Sequence, residues 1–187
     1  SVPRNSPGLV SGPGIPAVLE WVREAETPLL VLERVPGIPL ASWIESGLPA
    51  SADVPVALTI GNFDGVHRGH QAMLSRLIEA AEDLVLPPAV LTFDPHPREF
   101  FAPASAPPRL SSLRGKLEQF AAFGVERAYI VRFTSQFAAL TPQAFADEVL
   151  GARLGAHWVL VGEDFRFGRG RVGDVTALRA LAKRFSV

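Results

Sequence analysis

Strand-like runs alternating with amphipathic segments predict an α/β fold on a parallel sheet across residues 54–187, and three observations carry that expectation. Apolar runs rich in β-branched residues, each too short for a helix, recur at 54–60, 89–93, 127–133 and 157–161. The stretches between them hold apolar residues at helical spacing. Polar, glycine-rich and proline-rich residues gather directly behind the strands, where open parallel sheets bind their ligands.

Composition narrows the function. With 187 residues, 48% hydrophobic and a net charge of -1, the chain accommodates one sizeable domain plus extra material. No basic excess suggests nucleic-acid wrapping, and no apolar run is long enough to span a bilayer, so small-molecule ligands are expected, with no nucleic acid and no membrane. The absence of cysteine excludes disulfides and thiol catalysis. No basic segment followed by an unbroken apolar stretch opens the sequence, so a cytoplasmic location is expected.

The first fourteen residues contain Pro3, Pro7, Gly8, Gly12, Pro13 and Gly14, a composition that resists regular structure. Residues 17–26 read as a short helix, Leu29 to Leu32 as a strand-like run, and the surroundings of Trp43 as a helical turn. Trp21 and Trp43 suit core or interface anchors, and Pro49 to Pro55 a linker. Residues 1–50 are thus an N-terminal extension without evident chemistry. Beyond them come a strand at Val54 to Ile60, a helix at 69–83, a strand at Ala89 to Phe93, a helix at 112–123, a strand at Arg127 to Phe133, a helix at 142–154 and a strand at His157 to Val161. Ser111 or Ser112 starts the second helix and Gly124 stops it; Thr141 before Pro142 gives the order of cap and proline that opens the third. A last helix begins near Asp174, and Phe185 with Val187 reads as the start of a further strand, leaving a sheet edge and apolar residues without partners.

The densest chemistry lies in the first loop. Gly61, Asn62, Asp64 and Gly65 break the strand, and His67 and His70, half of the chain's four histidines, fall in or just before the first helical turn. Both imidazoles are then able to face one ligand. Free amides and the positive end of the helix dipole favour an anion there, such as a nucleotide phosphate. A surface or capping role would account for either histidine alone. A closed zinc site is not expected, since cysteine is absent and Asp64 is the sole acidic neighbour. The second loop, Asp94-Pro95-His96-Pro97-Arg98, either merely ends its strand or presents Asp94 and His96 as a semi-rigid unit; Phe100 and Phe101 follow as a segment able to cover a planar ring. In the last loop, Arg166, Arg169 and Arg171 suit a charged hairpin or a phosphate contact equally.

Taken together, Gly61-Asn62-Phe63-Asp64-Gly65-Val66-His67-Arg68-Gly69-His70, Thr92-Phe93-Asp94-Pro95-His96-Pro97 and Gly162-Glu163-Asp164-Phe165-Arg166-Phe167-Gly168 closely resemble bacterial FAD synthetases, the bifunctional riboflavin kinase/FMN adenylyltransferases. Pro108 to Ser111, Lys116 and Phe137 to Leu140 match more weakly. The resemblance implies a Rossmann-like, doubly wound sheet of the His-x-Gly-His nucleotidyltransferase type. It also implies transfer of AMP from ATP to FMN, with Mg²⁺ carried by the ATP phosphates, giving FAD and pyrophosphate. By the same resemblance Gly61, Asn62, Phe63, Gly65, His67, Gly69 and His70 bind ATP phosphates, with His67, His70 and Asn62 catalytic. Asp94, His96, Pro97, Asp164, Phe165 and Arg166 would belong to the flavin side. The family's later Ser-Ser-Thr-x-x-Arg-type segment and its riboflavin kinase domain are not among these residues, so 51–187 is expected to be a C-terminally incomplete adenylyltransferase domain. The histidine pair by itself also permits adenylyl or cytidylyl transfer to another phosphate-bearing acceptor, or binding of flavin or nucleotide without turnover.

Overall fold

The structure, a computed structural model, describes residues 29–33, 54–182 and 185–187. The expected helix at 17–26, Trp21, the turn around Trp43, the first fourteen residues and the linker before Val54 lie outside the described residues. Five strands form one sheet: β1 (Leu29–Glu33), β2 (Val56–Ile60), β3 (Pro88–Asp94), β4 (Arg127–Arg132) and β5 (Ala156–Leu160), in the order β1-β4-β3-β2-β5. The four strands from β2 onward pair in parallel, as the alternating pattern requires. The strand-like run at 29–32 is β1, which adds to the sheet antiparallel to β4, with Leu29 opposite Val131 and Glu33 opposite Arg127. β2 starts two residues later than its apolar run, because Pro55 has no N–H to offer a neighbouring strand.

Helices cover both faces. Along β2, Val56, Leu58 and Ile60 point into one core and Ala57 into the other, the period of two that a doubly covered sheet demands. The second core is closed by α1 (Arg68–Leu84) through Leu74, Leu77 and Ala81, and by α3 (Leu113–Ala122) through Phe120. The first is closed by α4 (Ser135–Ala138), by α5 (Pro142–Ala144) with its continuation Phe145–Arg153, and by α6 (Val175–Leu181) through Leu178. Each fully buried Leu, Ile or Phe contributes about 1.5–3 kcal/mol, so the two cores supply most of the fold's stability. Between α1 and α3 runs the short helix α2 (Pro97–Phe101), which buries nothing.

Caps fall where the residues place them. Ser112, Thr141 and Asp174 accept the amides of Gly115, Ala144 and Ala177, and Gly124 turns the chain after α3 at φ 96°. The helix expected at 142–154 changes winding at Phe145 and continues as a π-helix, whose i→i+5 pitch brings Phe145, Ala146, Val149 and Leu150 onto one face. The unpartnered apolar end expected at the C-terminal residues is not found. Phe185 is buried in the first core, Val187 packs against it, and Ser186 pairs in parallel with Trp158. Ser186 thereby extends the sheet beside β5.

Moving along the chain, β2, β3 and β4 step outward in one direction and β5 returns to the opposite side of β2. This reversal lies between β2 and β5, and a crevice forms beyond the carboxyl ends of such a pair.

Candidate active site

A cleft of about 940 Å³ opens at that position, with Ile60 and Gly61 behind β2 and Gly162 behind β5 in its walls. Its volume suits a ligand of nucleotide or flavin size. One end is polar and framed by the loop behind β2; the other is lined by phenylalanines.

The polar end is built on an unusual backbone. Phe63, Gly65 and Val66 all have positive φ, at 51°, 70° and 36°, around a single 3₁₀ turn at Asp64–Val66. Left-handed Phe and Val residues cost of order 1–3 kcal/mol each. Burial offsets that strain: Phe63 is 0% and Val66 2% exposed, and Phe63 packs edge-on against Phe120 at 5.2 Å between ring centres. Asp64 fixes the turn from outside. Its carboxylate accepts the amides of Leu110 and Ser111 and the Ser111 hydroxyl, while Ser111 Oγ accepts the Gly65 amide. Burial tends to raise the Asp64 pKa, but these hydrogen bonds and the Lys116 charge outweigh it and hold the carboxyl below its ordinary range.

From this turn the chain enters α1, with His67 as its cap. His67 Nδ1 accepts the His70 amide at 3.3 Å, and the two rings stack with centres 3.6 Å apart and planes 15° from parallel. His70 also leans on Phe63 at 5.0 Å. Phe63 therefore acts from beneath the pair. Gly69 leaves room beside this stack, since a Cβ there would sit a tight 3.3 Å from the His67 ring. Burial first, and then the charges of His67 and Lys116, push His70 down to about 4, so its imidazole is neutral near pH 7. Two buried side-chain atoms of the described residues lack any hydrogen-bond partner, His70 Nδ1 and Asn62 Oδ1, and both belong to this end of the cleft. Natural structures rarely leave such atoms unpaired, and a ligand is the ordinary remedy.

The apolar end is walled by Phe93, Phe133, Phe137, Phe145, Phe165 and Phe167, a run of tilted and edge-on contacts with ring centres 5.3–6.1 Å apart, except for Phe165 and Phe167, which stack at 5.5 Å. Asp164, Phe165 and Arg166, the last three residues expected on the flavin side, line the cleft. The arginine loop is a narrow hairpin closed by paired bonds between Phe167 and Gly173, and it forms part of the cleft wall. Gly168 makes that approach possible: its φ is 73°, and a Cβ would come within 2.9 Å of Pro142. Four arginines (98, 166, 169 and 171) face the cleft against one carboxylate, Asp164, among the described residues. On a chain of net charge -1 this local excess favours an anionic ligand.

The loop behind β3 does more than end a strand. His96 caps α2 by accepting the Arg98 amide through Nδ1 at 3.0 Å, and His96 and Pro97 line the cleft. Asp94 lines a neighbouring cavity of about 10 Å³ rather than the large cleft, and pairs with Arg109 at 2.8 Å. Arg109 also grips Glu99 with two bonds of 2.6 Å.

The structure thus brings Gly61, Asn62, Phe63, His70, His96, Pro97, Asp164, Phe165 and Arg166 to one cleft. His67, Gly65 and Gly69 support its polar end, and Asp94 braces the loop beside it. Met73, Phe133 and Phe145 were not legible as site residues. Nothing in a lone apolar residue of a helix or loop separates a cleft wall from a core position, and their role comes from tertiary placement alone.

The family model described as FAD synthetase matches residues 50–187. The bifunctional riboflavin kinase/FMN adenylyltransferase of Escherichia coli strain K12 is 50% identical over 122 residues, covering 65% of this chain and 39% of that protein. The protein of the same description from Listeria monocytogenes is 41% identical over 137 residues, 72% of this chain and 43% of its own length. This chain therefore spans about two fifths of the length of these curated relatives. Among solved structures, one described as a macrolide-efflux protein from Streptococcus pneumoniae superposes with a TM-score of 0.59 at 27% identity, over 72% of this chain and 46% of that one. Among the described residues, no helix is long and apolar enough to cross a membrane.

Proposed function

The chain belongs to the FAD synthetase family, and on that premise we propose that it transfers the adenylyl group of ATP to the phosphate of FMN, forming FAD and releasing pyrophosphate. The observation that carries this reading is the pairing in one cleft of two unpartnered polar atoms at a helix start, Asn62 Oδ1 and His70 Nδ1, with a phenylalanine wall suited to a flat ring system.

In the reaction a phosphate oxygen of FMN attacks the α-phosphorus of ATP; a new P–O bond forms, and the bond from the α-phosphorus to the bridging oxygen breaks, leaving pyrophosphate. FMN phosphate is already anionic near neutral pH, so no side chain has to remove a proton. The protein's task is alignment and the stabilisation of accumulating negative charge. The α1 start and the stacked His67 and His70 receive the nucleotide phosphates. An arriving phosphate favours the imidazolium form of His70, which takes up a proton from solvent as the anion binds. The phenylalanine wall holds the isoalloxazine ring, with Asp164, Phe165, Arg166, His96 and Pro97 lining the same cleft.

Magnesium fits this site as a companion of the nucleotide. Among the described residues no three carboxylate or imidazole donors converge, and Asp64 is engaged by backbone amides, which leaves Asn62 Oδ1 and the Asp164 carboxylate as side-chain oxygens at the cleft for such an ion. When bound it would neutralise phosphate charge.

A competition among acceptors tests the proposal. The chain is given ATP and Mg²⁺ with FMN, riboflavin or phosphopantetheine, and the products are separated chromatographically. FAD from FMN alone is the expected result, and adenylylated phosphopantetheine would reassign the acceptor.

A further inference from the structure

Lys116 lies on α3, outside the cleft, and is 8% exposed. Its ammonium donates to the Asn62 carbonyl at 2.6 Å and lies 3.5 Å from Thr92 Oγ1, itself a donor to the same carbonyl at 3.2 Å. One backbone oxygen in the phosphate loop is thus held by two elements, β3 and α3. Among the described residues no carboxylate comes within ion-pair distance of Lys116, although Asp64, Asp94, His96 and Arg109 share the water-sized cavity beside it. Burial lowers its pKa, while the carboxylates of Asp64, Asp94 and Glu99 act from farther off to raise it. A buried ammonium without a partner carboxylate is worse for stability than an apolar side chain of similar shape. An apolar side chain would fill the space at less cost, whereas lysine holds the Asn62 carbonyl and sets a positive charge behind the cleft, in the field of Asp64 and Asp94.

We propose that Lys116 is the positioning residue of the anion cradle: held on the Asn62 carbonyl, it fixes the loop at residues 61–66 and lends positive charge from beneath, so that Asn62, His70 and the start of α1 meet a bound pyrophosphate group. The inference rests on the reading of the polar end as an anion site and is independent of which acceptor receives AMP.

The test compares wild type, K116M and K116R in the same chain. Inorganic pyrophosphate binding is followed by calorimetry, FMN binding by flavin fluorescence and unfolding by thermal melts. K116M is expected to lose about tenfold or more in pyrophosphate affinity, as removal of an orienting partner generally does. FMN affinity should stay within about twofold and the melting temperature should hold or rise. K116R, which keeps the charge, should retain more pyrophosphate affinity than K116M. A space-filling role predicts the opposite ranking, with Met at least as good as Arg, and that ranking overturns the proposal, as does a parallel loss of FMN binding and melting temperature in K116M. Lysine-dependent pyrophosphate binding by a wild-type chain that forms no FAD would sustain Lys116 and defeat the AMP-transfer reading.

Discussion

His67 and His96 each accept a backbone amide through Nδ1 to start a helix at the same cleft, yet their surroundings differ. The helix behind His67 runs 17 residues and buries Leu74, Leu77, Ala80 and Ala81, whereas the one behind His96 runs five and buries none. The first turn is seated on the core through Phe63 and Val66; the second is braced by Arg109 on Glu99 and Asp94, a contact 43% exposed at the arginine. Histidine is a poor substitute for Ser, Thr, Asp or Asn as a cap, so its use twice at one cleft points to the free edge of each ring rather than to helix stability. The loop behind β2 is therefore seated on the core as well as tied by Asp64, and the loop behind β3 is braced by exposed ion pairs, so the two loops should fail under different insults.

The largest effect is expected at the loop behind β2. Replacing His67 and His70 together with alanine should lower FAD formation on the order of 10³-fold, with FMN binding little changed. Equal loss of FMN binding would erase the division between the ends. Phe63→Ala removes a fully buried ring from beneath the pair and should cost about 3–5 kcal/mol in denaturant unfolding. A cost below about 1 kcal/mol would mean that the loop does not depend on the core.

How far the sequence anticipates this division depends on the kind of force. Strand and helix order, the caps at Ser112, Thr141 and Asp174, and the placing of His67 and His70 at a helix start were all legible, because each depends on residues within a turn or two of one another. The antiparallel β1 edge, the π-wound continuation of α5, and the grip of Arg109 on Glu99 and Asp94 were not. They depend on pairings or core demands that no local pattern encodes. Lys116 is the clearest case: the sequence offers it only as a weaker match to the family, with no role attached, and only the fold sets it beneath Asn62.

Acid should act next, chiefly through His70. The native His70 titrates at about 4 against an ordinary value of 6.5, so between these values the unfolded chain binds the extra proton and the native one does not. The stability due to neutral His70 is therefore complete above pH 6.5 and is lost as pH falls toward 4. His96, lowered mainly by burial, acts in the same sense. H70N should flatten the fall in urea midpoint between pH 6.5 and 4, and an unchanged slope would place the proton elsewhere. The smallest effect belongs to the brace. Arg109→Ala should cost about 1 kcal/mol or less, as a half-exposed ion pair does, and the difference should shrink in high salt. A salt-independent loss would show that the loop behind β3 is also held by packing.

The central claim, that both ends serve one adenylyl transfer, is tested most directly by giving this chain ATP, FMN and Mg²⁺ and measuring pyrophosphate and FAD in the same reaction. The account predicts that the two appear in equal amounts. Tight binding of both substrates with neither product formed, or pyrophosphate released without FAD, would contradict it.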